Sequence, residues 1–160
     1  MKLNEYEKKL IEHAKRRVPQ LFKMRRKKDV YDTYYAAVIS NSGRIYEGVP
    51  FCPKIESATI CCERVAIANM CLAETEKARI KSVFVFGPVG HKGNLTPCGV
   101  CRAVVNQYSD GKATILCAGG YFERQDTNFE ELIKKYFRKF TIKELYPEPW
   151  TTGEWKYDKE

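Results

Sequence analysis

The stretch Pro97-Cys98-Gly99-Val100-Cys101-Arg102, read together with Ile60-Cys61-Cys62-Glu63-Arg64 earlier in the chain, sets the organisation of the whole sequence. Cys98 and Cys101 stand at i and i+3 where a helix opens behind Pro97, so both sulfurs can face one point in space. Cys61 opens a second helical pattern running to Ala73, and Glu63 follows it by two positions. Three thiolates satisfy three corners of a tetrahedral Zn²⁺ and leave the fourth for water, which is the arrangement of a catalytic zinc rather than a structural one. The expected metal ligands are therefore Cys61, Cys98 and Cys101, with Glu63 close enough to carry a proton without ligating. Zn²⁺ with three thiolates has a formal charge of −1, so hydrogen bonds to the sulfurs from Arg64 and Arg102 are expected to draw charge away from them.

Working outward from these motifs, residues 34–39 are rich in aromatic and β-branched side chains. Ser40-Asn41-Ser42-Gly43 and an alternating run from Arg44 to Val49 follow, so a β-hairpin is predicted. Residues 50–59 hold two prolines and no period, and read as a loop. Lys81–Phe86 reads as a short strand. The helix from Pro97 presents Cys101, Val104, Val105 and Tyr108 inward and is stopped by Ser109-Asp110-Gly111. Ala113–Cys117 reads as another strand, with an edge strand near Tyr121. Phe129, Leu132, Ile133, Tyr136, Phe137 and Phe140 make a helical stripe. At the front, Leu3, Tyr6, Leu10, Ala14 and Val18 predict an amphipathic helix that Pro19 ends. Helices alternating with strands imply an α/β fold, a three-layer sandwich with helices on both faces of a mixed sheet.

With 160 residues, 44% of them hydrophobic, the chain suits one compact core. It lacks an apolar run of membrane-spanning length and an apolar N-terminal leader, so a cytoplasmic location is expected, with no membrane partner. Seven cysteines, an odd number, argue against a disulfide framework and for metal binding or burial. Cys71 and Cys117 sit in apolar segments and are expected to be buried. The formal charge of +8 is local: residues 1–28 hold eleven Lys or Arg against three Glu, and the rest carries seventeen of each sign. The basic run Lys23–Lys28 could meet nucleic acid or another acidic partner; a solvated connector is the simpler reading. His13 and His91 are the two histidines, and neither is spaced to ligate the zinc.

Cys-x-Glu followed by Pro-Cys-x-x-Cys is the zinc deaminase signature in its three-cysteine form. At these residues the chain resembles the cytidine deaminase family, in its small single-domain cytidine and blasticidin S deaminase type. Ala36-Ala37-Val38, Gly43-Arg44-Ile45-Tyr46 and Glu144-Leu145-Tyr146-Pro147 fall in family order around the two cysteine motifs, across about residues 34–147. The resemblance implies a five-stranded sheet, Zn²⁺ on Cys61, Cys98 and Cys101, Glu63 as proton shuttle, and a homotetramer or dimer. It divides the chain into a basic helix and connector, 1–30, and a zinc deaminase domain, 31–160.

The expected reaction is hydrolytic. Water on the open zinc position, deprotonated by Glu63, attacks C4 of a cytosine-like ring, and ammonia leaves. The family holds ribose with an Asn and a Glu ahead of the zinc helix, and those places fall on Pro50 and Cys52. The substrate expected is thus a small aminated heterocycle or nucleoside, a cytosine nucleoside such as cytidine or deoxycytidine or a blasticidin S type compound, with an altered or absent sugar requirement. Tyr34, Glu56, Pro97 and Cys62, the last through its backbone N–H since its side chain is expected to pack, are the candidate substrate contacts, with Lys54 and the 147–155 tail behind them. A base within RNA or DNA as substrate, and a non-catalytic structural zinc, stay open as alternatives.

Overall fold

The computed structural model describes residues 2–24, 34–87, 95–119 and 129–149. Five strands form one sheet in the order β2-β1-β3-β4-β5, with β1 Tyr35–Ser40, β2 Ile45–Gly48, β3 Ile80–Gly87, β4 Thr114–Gly119 and β5 Arg138–Thr141. β3 and β4 run parallel and every other neighbour pair is antiparallel, so the sheet is mixed. The hairpin of β1 and β2 forms as predicted, its turn passing through Gly43 at φ +79°, a conformation that favours glycine.

Side chains alternate across the strands and so build two cores. Tyr35, Ala37, Ile39, Phe84, Phe86, Leu116 and Ala118 face one side, packed against α1 (Glu5–Met24) and partly against α4 (Phe129–Tyr136). Val38, Val83, Val85, Ile115 and Cys117 face the other, under α2 (Cys62–Ala73), α3 (Gly99–Tyr108) and the short α5 (Ile142–Leu145). The period of two in the strands therefore produces the three-layer α/β/α arrangement.

Three expectations are corrected. Helix α1 does not stop at Pro19 but carries it inside and runs to Met24. The lost backbone hydrogen bond is offset by packing, since Val18 is fully buried and Leu21 packs on the same core. Its start is set by a reciprocal cap: Glu7 N donates to Asn4 Oδ1 and Asn4 N donates to Glu7 Oε2, each at 2.9 Å. Second, the stripe from Phe129 to Phe140 is not one helix. It breaks after Tyr136, and residues 138–141 become β5, pairing Phe140 with Ile115. The open edge of β4 takes a partner there, and the capping box of Thr141 and Glu144 then starts α5. Third, Cys71 is exposed on α2, whereas Cys117 is buried as expected. The edge strand near Tyr121, His91, the basic residues 25–28 and both tryptophans lie outside the described residues.

Candidate metal centre

Helices α2 and α3 both begin at this site, and each has a cysteine as its N-cap. Cys61 caps α2 at φ −64°, ψ 149° and Cys98 caps α3 at φ −64°, ψ 166°. Cys101 follows in the first turn of α3 and is fully buried. The positive ends of two helices thus converge on the sulfurs, which favours negative charge there. The start of α2 lies close to β2 because Gly48 has no side chain: a Cβ there would fall 2.1 Å from the Cys62 carbonyl oxygen. The preceding loop is closed by two hydrogen bonds between Phe51 and Ile60, at 3.0 and 2.9 Å, which deliver Cys61 to its place.

The Sγ atoms of Cys61 and Cys98 are 3.8 Å apart, those of Cys98 and Cys101 are 3.4 Å apart, and all three lie within 4.8 Å of one another. Tetrahedral zinc with Zn–S bonds of about 2.3 Å needs sulfurs about 3.8 Å apart, so the donor set fits Zn²⁺ in both chemistry and spacing. Among the described residues this is the one group of three or more Cys, His, Asp or Glu positioned to hold a metal ion. The three thiols are not equivalent. Burial, aided by the charge of Glu63, pushes Cys101 up, and burial with the charge of Cys98 raises Cys61. Burial acts against Cys98 as well, but the Cys101 N–H and the thiols of Cys101 and Cys61 outweigh it and hold Cys98 below its ordinary value. Cys98 is thus the sulfur best able to carry charge before a cation replaces the remaining thiol protons.

Glu63, in the first turn of α2, is 5% exposed. Its Oε2 accepts a hydrogen bond from the Cys62 thiol at 3.2 Å. The Cys62 side chain, expected only to pack, makes this hydrogen bond as well; the adjacency of a thiol and an acid in the sequence is the signal for it. Burial, then the Glu63 charge, pushes the Cys62 thiol far up, so it keeps its proton.

The two arginines are placed differently from expectation, because the observed hydrogen bonds of both go to oxygen rather than to sulfur. Arg102 donates from Nε to the Pro97 carbonyl at 2.7 Å, from Nη2 to Thr96 Oγ1 at 2.8 Å and from Nη1 to the Leu145 carbonyl at 3.1 Å. It braces the turn before Cys98 against α5. Arg64 Nη2 donates to the Thr59 carbonyl at 3.2 Å, and its buried Nε has no partner among the described residues. Pro97 is buried and Tyr34 lies across Gly87 at the end of β3, where a Cβ would fall 2.4 Å from Tyr34 Cδ1. Lys54 is exposed, and Glu56 begins a single 3-10 turn with its side chain outside the described set. His13, far from the sulfurs on the opposite face, pairs with Glu47 at 3.1 Å. Among the described residues no helix is long and apolar enough to cross a membrane.

A family model described as the cytidine and deoxycytidylate deaminase zinc-binding region matches residues 10–117. The chain is 30% identical over 104 residues to a cytidine deaminase of Mycoplasma genitalium, covering 65% of this chain and 78% of that one. A cytidine deaminase of Mycoplasma pneumoniae is 33% identical over 82 residues, 51% of this chain and 60% of the relative. In fold, the chain is similar to the crystal structure of cytidine deaminase from Burkholderia pseudomallei, with a TM-score of 0.66 at 19% identity over 92% of this chain and 100% of that chain. The family match spans both helix N-termini that bring the thiols together, and the chain belongs to the cytidine and deoxycytidylate deaminase zinc-binding family, whose members are hydrolases of C–N bonds.

Proposed function

We propose that this chain hydrolytically removes the exocyclic amino group of a cytosine-type ring in a small molecule, with Cys61, Cys98 and Cys101 holding Zn²⁺ and Glu63 carrying the protons. The observation that carries this reading is the trio of thiols within 4.8 Å of one another beside a carboxylate that is 5% exposed. When bound, Zn²⁺ supplies a Lewis acid that acidifies a water molecule at neutral pH. Glu63 would accept the two protons of the attacking water in turn, passing one to the ring nitrogen next to the reacting carbon and the other to the departing amine, so that water and amine become carbonyl and ammonia. Burial of Glu63 keeps bulk water from short-circuiting these transfers. Arg102 fixes the Pro97 carbonyl and so the backbone leading into Cys98.

The sugar requirement is the finer part of the proposal. Pro50 and Cys52 occupy the two places where the family resemblance expects an Asn and a Glu for ribose. Pro50 has no N–H to donate, Cys52 is exposed, and the neighbouring Phe51 and Ile55 are 57% and 68% exposed. That loop supports a substrate whose ring substituent is not held by paired ribose hydrogen bonds, such as a blasticidin S type nucleoside or a free base. Tyr34, Glu56, Pro97 and the backbone N–H of Cys62 are the contacts proposed, and the protein is proposed to work as a homo-oligomer, dimer or tetramer. Exposed apolar Phe51, Ile60 and Val100 around the cysteine motifs support a subunit contact there.

The test is ammonia release by the purified protein over cytidine, deoxycytidine, cytosine, blasticidin S and guanine. Release from a cytosine-type compound, lost in Glu63→Ala with zinc retained, is the expected result. Full release by Glu63→Ala refutes the reading.

A further inference from the structure

We propose that Cys62 is a positioning residue for Glu63: its thiol hydrogen bond fixes one carboxylate oxygen, Oε2, and leaves Oε1 as the oxygen that exchanges protons with the reacting groups. This rests on the reading of Glu63 as proton carrier. Cys62 is 2% exposed and Glu63 5% exposed, and the Cys62 Sγ to Glu63 Oε2 distance is 3.2 Å. A buried carboxylate with neither oxygen engaged can turn about its terminal torsion, which is broad, and would present either oxygen at a range of angles. One neutral donor removes that freedom without adding a positive charge. A lysine or arginine in the same place would bind the acid too strongly for it to pass a proton on.

Cys62 is itself held firmly. It occupies the first turn of α2, and its carbonyl is pressed against Gly48 of β2 at a distance that leaves no room for a Cβ. The donor is therefore anchored to the sheet, and the carboxylate to the donor. Two other described carboxylates are held by hydroxyls or cations: Glu74 by Ser40, Ser42 and Tyr46, and Glu47 by Arg17, Tyr35 and His13. Among the described residues Glu63 is the acid bound by a thiol. In this chain Cys62 does what smaller packing does not: it donates.

The test has two arms on the zinc-loaded full chain. The first is infrared spectroscopy of the S–H stretch, which needs no substrate. Wild type is expected to show a component lowered in frequency, absent in Cys62→Ala and shifted to the free-thiol position in Glu63→Ala. The second arm is steady-state kinetics on whichever compound the ammonia screen identifies. Cys62→Ala is expected to lower kcat about tenfold with KM and zinc content unchanged, and Cys62→Ser, which keeps a donor, to restore most of it. The proposal is overturned if no lowered S–H component exists, if Cys62→Ala keeps kcat within about twofold, if Cys62→Ser is as impaired as Cys62→Ala, or if Cys62→Ala loses zinc. A wild-type protein with no deaminase activity would refute the proposed function alone, because the infrared arm still decides whether the thiol holds the acid.

Discussion

The two faces of the sheet bury carboxylates in opposite ways. Under α1, Glu7 is fully buried and bound by Lys139 at 2.7 Å, and Glu47 Oε1 accepts from Arg17 at 2.8 Å, Tyr35 at 2.9 Å and His13. Under α2, Glu63 is 5% exposed, yet its described hydrogen-bond partner is a neutral thiol and its neighbours are the sulfurs. A carboxylate compensated by cations holds a helix in place and has no reason to change protonation. One left without a cation costs stability, and persists only where a cation or a proton is supplied by something else. The comparison separates acids that build the fold from the acid proposed to do chemistry.

Substitution should divide the molecule along the same line. The largest effect is expected from Glu63→Ala: ammonia release falls by about a thousandfold, zinc stays bound, and stability in urea is unchanged or rises, since a buried uncompensated acid has been removed. A Glu63→Ala protein less stable than wild type by as much as a Glu7 variant would erase the distinction. Next, Cys101→Ala should abolish zinc binding, measured as metal content by mass spectrometry after gel filtration, and activity with it.

Gly48→Ala should act on both sides of the division. An added methyl would overlap the Cys62 carbonyl and the Ala66 nitrogen, 2.1 and 2.5 Å from the Cβ position. Relief requires α2 to move, at a cost of about 2–3 kcal/mol in unfolding free energy, together with a fall in kcat as Cys61 and Glu63 are displaced. On the far face, Glu7→Ala should cost about 2 kcal/mol by leaving Lys139 without its acid, with kcat untouched.

The smallest expected effect is a pH dependence confined to the α1 face. Burial opposes ionisation of Glu7 and Glu47, but hydrogen bonds from Lys139 and the Asn4 N–H to Glu7, and from Arg17, Tyr35 and His13 to Glu47, win, so both sit below the usual carboxylate range. A depressed folded-state value means the stabilisation is present above the unfolded-state value, about 4.3, and lost as pH falls through the folded one. Urea melts between neutral pH and about pH 3 should show this loss in wild type and a smaller one in Glu47→Gln.

The sequence was most legible where local chemistry is decisive. The hairpin could be read because Ser40–Gly43 separates two strand-like runs, and the cysteine motifs because spacing alone brings Cys98 and Cys101 together. What could not be read depends on partners distant in sequence. Pro19 looks like a helix end until Val18 and Leu21 are seen packed on the sheet. Phe140 continues a helical stripe as well as it fills a strand position, and only the free edge of β4 decides between them. Arg102 stands next to Cys101, but its hydrogen bond to the Leu145 carbonyl depends on where α5 folds back.

The most direct measurement of the central claim is X-ray absorption at the zinc edge of the purified, zinc-loaded protein. Three sulfurs at about 2.3 Å with one oxygen neighbour, one zinc per chain, and an intact sulfur shell in Glu63→Ala are the predicted result. A fourth protein ligand closing the shell, or zinc without sulfur neighbours, would contradict it.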